Sequence, residues 1–203
     1  MEGREGMIVD REEYREELIW ACLTSFAAHG YEACNMAMLA QGAGVSERTL
    51  EDYFSDKRSL FDAVLDSAAN ADLEALERVV GRVEGPRAKL LELGEFLDRN
   101  EGYLEWQQKL WREAARLDGS TRARLERLQG RFYEIFSGFF QGTFQDPEFE
   151  ASLVGLLMPL IDGLILQGAY RPGYPNFVEG LSRFADLVER LQTPSSLEVL
   201  DVA

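Results

Sequence analysis

The sequence predicts an all-α protein, an N-terminal three-helix unit joined by a fourth helix to a larger helical bundle, and three observations carry that expectation. Residues 35–61, NMAMLAQGAGVSERTLEDYFSDKRSLF, read as two short helices on either side of a glycine turn, feeding a longer helix. Beyond them the apolar residues recur at intervals of three and four, without strand-like alternation. With 46% apolar and 11% aromatic residues, the 203-residue chain has the material for a buried core, so disorder is excluded for its bulk.

In chain order, residues 1–9 hold Gly3 and Gly6 and no apolar period, and are expected to form a flexible tail. The first helix is expected to open at Asp10, which stands three residues before Glu13 in the spacing of a capping box. Tyr14, Leu18, Cys22 and Phe26, with Ile19 and Leu23, make its apolar stripe, and it stops near His29-Gly30. No nucleophile or carboxylate is singled out beside the lone His29, so it reads as a surface or capping residue. Met36, Leu39, Ala40 and Ala43 mark the second helix, and Leu50, Tyr53 and Phe54 the third. Between them Gly44 supplies the left-handed backbone of a tight turn and Ser46 a capping oxygen. Ser55 or Asp56 opens a fourth helix with Leu60, Phe61, Val64, Leu65 and Ala68 at core spacing, reaching about Val83. Gly85-Pro86 then breaks the chain. This gives a helix-turn-helix unit over 10–56, a connecting helix over 57–84 and a bundle over 85–192, although a simple loop would leave the same signal at 85.

Further helices are expected over 87–100, 103–117, 120–144, 147–170 and 175–192, divided by Asp118-Gly119-Ser120, Asp146-Pro147 and Arg171-Pro172-Gly173-Tyr174-Pro175. Residues 193–203 lack a stable pattern and form a second tail. The segment LVGLLMPLIDGLILQGAY is apolar most of the way round, so it must be buried in its own bundle or against a second subunit. Leu157, Ile161, Asp162 and Ile165 from this segment, with Phe177, Leu181, Phe184 and Val188 from the last helix, are the candidate homodimer interface. Asp162, a carboxylate among apolar neighbours, requires a partner in the effector, a neighbouring helix or the other subunit. Phe96, Tyr103, Trp106, Trp111, Tyr133 and Phe136 are candidate linings of a pocket for a small apolar or aromatic effector, with ordinary core packing as the alternative.

Composition narrows function further. The formal net charge of −15 opposes a purely electrostatic attraction to nucleic acid, and residues 1–66 alone hold six basic against fourteen acidic side chains. Cys22 and Cys34 fall at helical, mostly apolar positions without a CxxC pair, and read as reduced core thiols. No metal-ligand cluster, phosphate-binding glycine loop or nucleophile elbow stands out, so no catalytic residue, cofactor or metal is expected. The longest apolar run is short and interrupted by Pro159 and Asp162, and no basic-apolar leader opens the sequence. A cytoplasmic protein with no membrane partner is expected.

The stretch from Phe26 to Phe61 resembles the N-terminal domain of the TetR family of bacterial transcriptional regulators. The resemblance rests on Phe26, Gly30-Tyr31, Leu39-Ala40, Ala43-Gly44-Val45-Ser46, Thr49-Leu50, and Tyr53-Phe54 followed by Lys57. More loosely, LEWQQKLWREAARL over 104–117 and Asp162-Gly163-Leu164 with Gln167 are similar to the effector-binding and dimerising domain of one branch. The resemblance implies a dimeric, ligand-responsive repressor whose third helix enters the major groove of operator DNA. It places Asn35, Ser46, Arg48, Thr49, Tyr53 and Lys57 at the DNA, with Lys57 on a phosphate. Against the family pattern, Glu51 stands where a phosphate-directed tyrosine is usual, flanked by Glu47 and Asp52, and Ala37 replaces a common donor. A dimer that has lost much of its DNA binding and acts as a ligand-binding or protein-interaction module is therefore the alternative. Glu can accept from a cytosine amino group, and Glu47 also suits the positive end of a helix with no DNA present.

Overall fold

The computed structural model describes residues 2–168, 171 and 173–192, with the side chains of 2–10, 103, 105 and 106 left aside. Among the described residues the chain forms nine helices and no strand. These are α1 Glu2–His29, α2 Met36–Gly42, α3 Glu47–Glu51, α4 Lys57–Val80, α5 Pro86–Arg99, α6 Glu101–Leu117, α7 Gly119–Phe140, α8 Pro147–Gly168 and α9 Phe177–Gln192.

Several boundaries differ from expectation, each for a local reason. α1 begins at Glu2 and runs through Asp10, so the Asp10–Glu13 spacing caps nothing. The segment before Asp10 holds good helix formers in Glu2, Arg4 and Glu5, and extending an existing helix needs no new nucleus. α7 stops at Phe140 rather than running on to 144, because Gly142 turns the chain at φ +72°. Beyond the turn the Glu150 carboxylate accepts from the amides of Thr143 at 2.7 Å and Phe144 at 2.8 Å. α9 starts at Phe177, where Asn176 Oδ1 accepts from Glu179 N at 2.9 Å and caps it. The tail expected over 193–203 lies outside the described residues.

The chain divides into two compact units whose border does not fall at Gly85-Pro86. The first takes the residues to Asp72 and Trp106–Leu128; the second takes Leu73–Glu105 and the residues from Gln129 onward. In the first unit, Leu18, Cys22 and Phe26 of α1, Leu39 and Ala40 of α2, Leu50 of α3, and Leu60, Phe61, Val64 and Leu65 of α4 share one core with Leu110 and Ala114 of α6 and Leu125 of α7. Besides this core, polar ties that hydrophobic periodicity does not reveal join the start of α7 to α4. Arg58 Nη1 meets Asp118 Oδ2 at 2.9 Å, Arg58 Nε meets Asp62 at 3.2 Å, and Arg124 pairs with Asp62 and Asp66. Asp118 also caps α7, accepting from Ser120 N at 2.9 Å and Thr121 N at 3.0 Å. Both cysteines are free and buried, and burial pushes the Cys22 thiol up to about 11.

In the second unit α5 and α9 pack closely, and Leu90, Leu93 and Leu97 of α5 share a core with Phe136, Phe139 and Phe140 of α7. Leu153, Leu157, Ile161 and Leu164 of α8 complete it with Phe177, Leu181, Phe184 and Val188 of α9. Arg87 bridges Asp186 at 2.6 Å and Glu189 at 2.9 Å, and Lys89 Nζ donates to Gly138 O at 2.8 Å. By length and composition α8 alone among the described helices could cross a membrane, yet one of its faces is packed into this core.

The turn at Gly44 and the Arg58–Asp118 tie can each be tested by substitution. Gly44→Ala should cost about 1–2 kcal/mol in denaturant unfolding, because φ is +71° there and nothing lies within 4 Å, leaving backbone strain as the whole effect. A neutral result would mean the turn relaxes without its left-handed residue. The second test concerns pH. The Thr121 amide, the Ser120 hydroxyl and Arg58 hold the Asp118 carboxyl well below the usual carboxylate range. Its folded pKa is thus lower than its unfolded one, so its stabilisation is complete above the unfolded pKa of about 4 and is lost as pH falls below that. Asp118→Asn keeps a capping oxygen but loses the charge facing Arg58. The thermal midpoints of wild type and variant should lie apart at pH 7 and draw together progressively as pH falls from about 4 towards the lowered folded pKa; a gap that stays constant over that whole fall would mean that the charge contributes nothing.

Candidate nucleic-acid interface

The helix-turn-helix is assembled by three local devices. Asn35 caps α2, its Oδ1 accepting from Met38 N at 2.9 Å with the backbone extended at φ −128°, ψ 169°. At the other end Gly44 takes the left-handed conformation, and Val45 N reaches back to Ala40 O at 2.9 Å while Gly44 N reaches Gln41 O at 3.1 Å. These are the two bonds of a Schellman C-cap, and they close α2 and aim the chain at α3. Ser46 caps α3 by accepting from Thr49 N at 3.0 Å, and the two hydroxyls share a hydrogen bond of 2.7 Å. Leu50 and Phe54 are buried, Thr49 is half-buried, and Ser46, Glu47, Arg48, Glu51 and Asp52 are exposed. The α3 helix and its C-cap Asp52 therefore present one cation, Arg48, among three carboxylates on their open surface.

Of the six residues expected at DNA, Ser46, Arg48 and Thr49 cluster at the first turn of α3. Asn35 and Ser46 already use their side-chain oxygens as caps. Tyr53 lies just past α3, edge-on to Tyr14 with ring centres 5.5 Å apart. Lys57 is turned inward: its ammonium donates to Tyr31 O at 3.0 Å and Cys34 O at 2.9 Å, and stands 4.2 Å from the Tyr31 ring centre. The exposed Asp56 opens α4, its carboxylate accepting from Ser59 N at 2.7 Å, a bond that lowers its pKa.

Two contacts around the helix-turn-helix have no signal in hydrophobic period or motif. α6 reaches the α1–α2 connection through Glu113, which accepts from Tyr31 N at 2.6 Å, and Lys109, which donates to Ala27 O at 3.2 Å. The pair sits one turn apart on α6, a cation on the last carbonyls of α1 and an anion on the amide beyond Gly30. A Cβ on Gly30 would lie 2.6 Å from the Glu113 carboxylate, so glycine is needed there for contact as well as for its φ of +83°. Only the Lys109–Glu113 spacing is visible in sequence; the partner of Glu113 is 82 residues away. Arg11 of α1 is the second contact: Nη2 lies 3.5 Å from Asp52 O, and the guanidinium carbon 5.4 Å from the Tyr53 ring centre.

The residues expected to line a pocket are dispersed. Phe136 is buried in the second unit's core and Phe96 packs on it, whereas Trp111 packs on the core of the first unit. Tyr133 is exposed, with its hydroxyl 3.3 Å from Ala151 O. The side chains of Tyr103 and Trp106 lie outside the described residues. The second unit has a groove of about 300 Å³ lined by Leu73, Glu77, Arg131, Glu134 and Ile135, none of them among the residues named from sequence. Of the residues expected at a dimer interface, Leu157, Ile161, Ile165, Phe177, Leu181, Phe184 and Val188 are all buried inside the protomer, and Asp162 is exposed. Among the described residues no cluster of His, Cys, Asp and Glu is arranged to hold a metal ion.

Comparison with known proteins agrees with this architecture. The family model described as bacterial regulatory proteins, tetR family, matches residues 18–64, the span from mid-α1 into α4. The HTH-type transcriptional regulator BetI of Pectobacterium atrosepticum is 28% identical over 186 residues, 88% of this chain and 94% of BetI. A protein of Saccharomonospora viridis, solved in complex with choline, superposes with a TM-score of 0.72 at 20% identity, covering 88% of this chain and 96% of that one. The transcriptional regulator FadR of Bacillus subtilis, solved with stearoyl-CoA, gives 0.68 at 16% identity, covering 85% and 96%. The solved structures share the fold, the family model matches the helix-turn-helix, and the regulator relative matches most of the chain, so this chain is similar to the TetR family of helix-turn-helix transcriptional regulators over its N-terminal unit and to a TetR-type regulator along its length.

Proposed function

We propose that the chain is a cytoplasmic, homodimeric, ligand-responsive repressor that reads operator DNA through α3. The observation that carries this reading is the doubly capped α2–α3 pair, which holds Arg48 exposed at the first turn of α3. In helix-turn-helix proteins that turn meets base edges, and an arginine there can bind guanine O6 and N7 together. Pairing of two chains is supported by the outer face of the second unit, where Leu156 and Leu166 of α8 and Leu187 of α9 are 60%, 47% and 50% exposed. The same helices thus use one stripe for their own core and leave another for a partner.

Lys57 is given a structural role here rather than a phosphate contact, since both carbonyls it serves lie in its own protomer. The inward lysine and the exposed Glu47, Glu51 and Asp52 are also what favours the second reading, a dimer with little affinity for DNA. Fluorescence anisotropy of the dimer on the DNA directly upstream of its own gene, beside a random duplex, separates the two. Tight binding that disappears with Arg48→Ala supports the repressor, and equal weak binding to both duplexes at low salt would sink it. Lys57→Ala should lower the unfolding free energy by about 1–3 kcal/mol and leave the salt dependence of DNA binding unchanged.

The effector is proposed to be a small molecule held in the second unit, on the support of relatives that hold choline and stearoyl-CoA. Whichever of those two classes fits should raise the thermal midpoint by about 5–10 °C at a hundredfold excess over its dissociation constant. No shift with either would place the effector in a third class.

A further inference from the structure

The surface around α3 must meet a polyanion although it is rich in carboxylates, so its free cations can be sorted by their partners. Residues 11–61 contain five basic side chains: Arg11, Arg15, Arg48, Lys57 and Arg58. Lys57 is taken up by the carbonyls of Tyr31 and Cys34. Arg58 is taken up by Asp62 and Asp118. Arg15 is half-buried with its guanidinium carbon 5.1 Å from the Phe54 ring centre, and lies 3.6 Å from Glu16. Arg48 and Arg11 remain exposed. Arg48 is on α3 itself, whereas Arg11 comes from α1 and is held at the far end of α3 by the Asp52 carbonyl and the face of Tyr53. One of its five N–H groups points at that carbonyl, and the fork leaves others for an oxygen outside the protein. The anchored guanidinium also stands where Glu51 and Asp52 bring negative charge.

We propose that Arg11 is a DNA-backbone contact supplied from outside the helix-turn-helix, a guanidinium fixed on Tyr53 and the end of α3 that grips a phosphate beside the groove α3 enters. The assignment rests on the DNA-binding reading given above. It makes α1 part of the reading head as well as part of its core, and it separates two tasks: Arg48 reads bases and Arg11 neutralises backbone charge. Placing a cation at the C-terminal end of α3 also stabilises that short helix, so the test must distinguish charge on DNA from a cap on the protein.

Arg11→Gln keeps a donor for the Asp52 carbonyl and removes the charge; Arg11→Lys keeps the charge and removes the fork. Anisotropy titrations of the full-length dimer on its own upstream DNA and on a random duplex, from 50 to 200 mM KCl, give log K against log salt. Arg11→Gln should make that slope shallower by about 0.9 for each phosphate no longer neutralised, so that the drop in affinity across this salt range shrinks by about 3.5-fold per phosphate. The change should be equal on both duplexes, and Arg11→Lys should restore the slope. Arg48→Ala should instead narrow the ratio between the two duplexes. A wild-type slope in Arg11→Gln, or no recovery in Arg11→Lys, overturns the Arg11 assignment while leaving the DNA-binding reading intact. Absence of binding by the unsubstituted dimer overturns both.

Discussion

The corner between α1 and α2 is the constraint on which the reading head depends. Phe26, Tyr31 and Phe61 meet there, with ring centres 5.0 Å apart for Phe26–Phe61 and 4.7 Å for Tyr31–Phe61. The chain cannot both turn at Gly30 and keep its amides and carbonyls bonded within helices, so side chains from elsewhere complete them. Lys57 from α4 takes the carbonyls of Tyr31 and Cys34, and Glu113 from α6 takes the Tyr31 amide. Ammonium, ring and carboxylate thus share one half-buried site, where each hydrogen bond to a charged group is worth about 1.5–3 kcal/mol.

From this corner follows the placement of α2 and hence of α3. The α2 helix has only seven residues and could not persist alone; its Asn35 cap follows directly on the carbonyl of Cys34 that Lys57 holds. α3, with five residues, depends still more on its neighbours, through the Schellman turn at Gly44, the Ser46 cap and the buried Leu50. Short helices anchored at both ends give a rigid presentation of Arg48 and leave the surrounding surface free to vary in charge. The acidity of that surface is compatible with the fold because carboxylates at exposed positions cost the core nothing.

The α6 helix links this corner to the second unit through its own backbone, since its first residues count with the second unit and Lys109 and Glu113 with the first. The ties of Arg58 to Asp118 and of Arg124 to Asp62 and Asp66 bring the start of α7 to the same unit.

The helical period of Leu18, Cys22 and Phe26, of Leu39 and Ala40, and of Leu90, Leu93 and Leu97 determined by itself that these residues form helices with those faces inward. Gly44 and Ser46 determined the turn between α2 and α3, because a left-handed residue and a capping hydroxyl act within a few residues of themselves. The sequence could not determine which apolar stripe of α8 and α9 faces the protomer's own core. Periodicity is identical for either burial, and only packing assigns Leu157 and Leu181 to the inside and Leu156 and Leu187 to the outside. Nor could it reveal that Lys57 turns inward or that Arg11 reaches α3. A long charged side chain goes to whichever partner the tertiary fold brings within reach, and those partners lie 23 to 41 residues away in the chain.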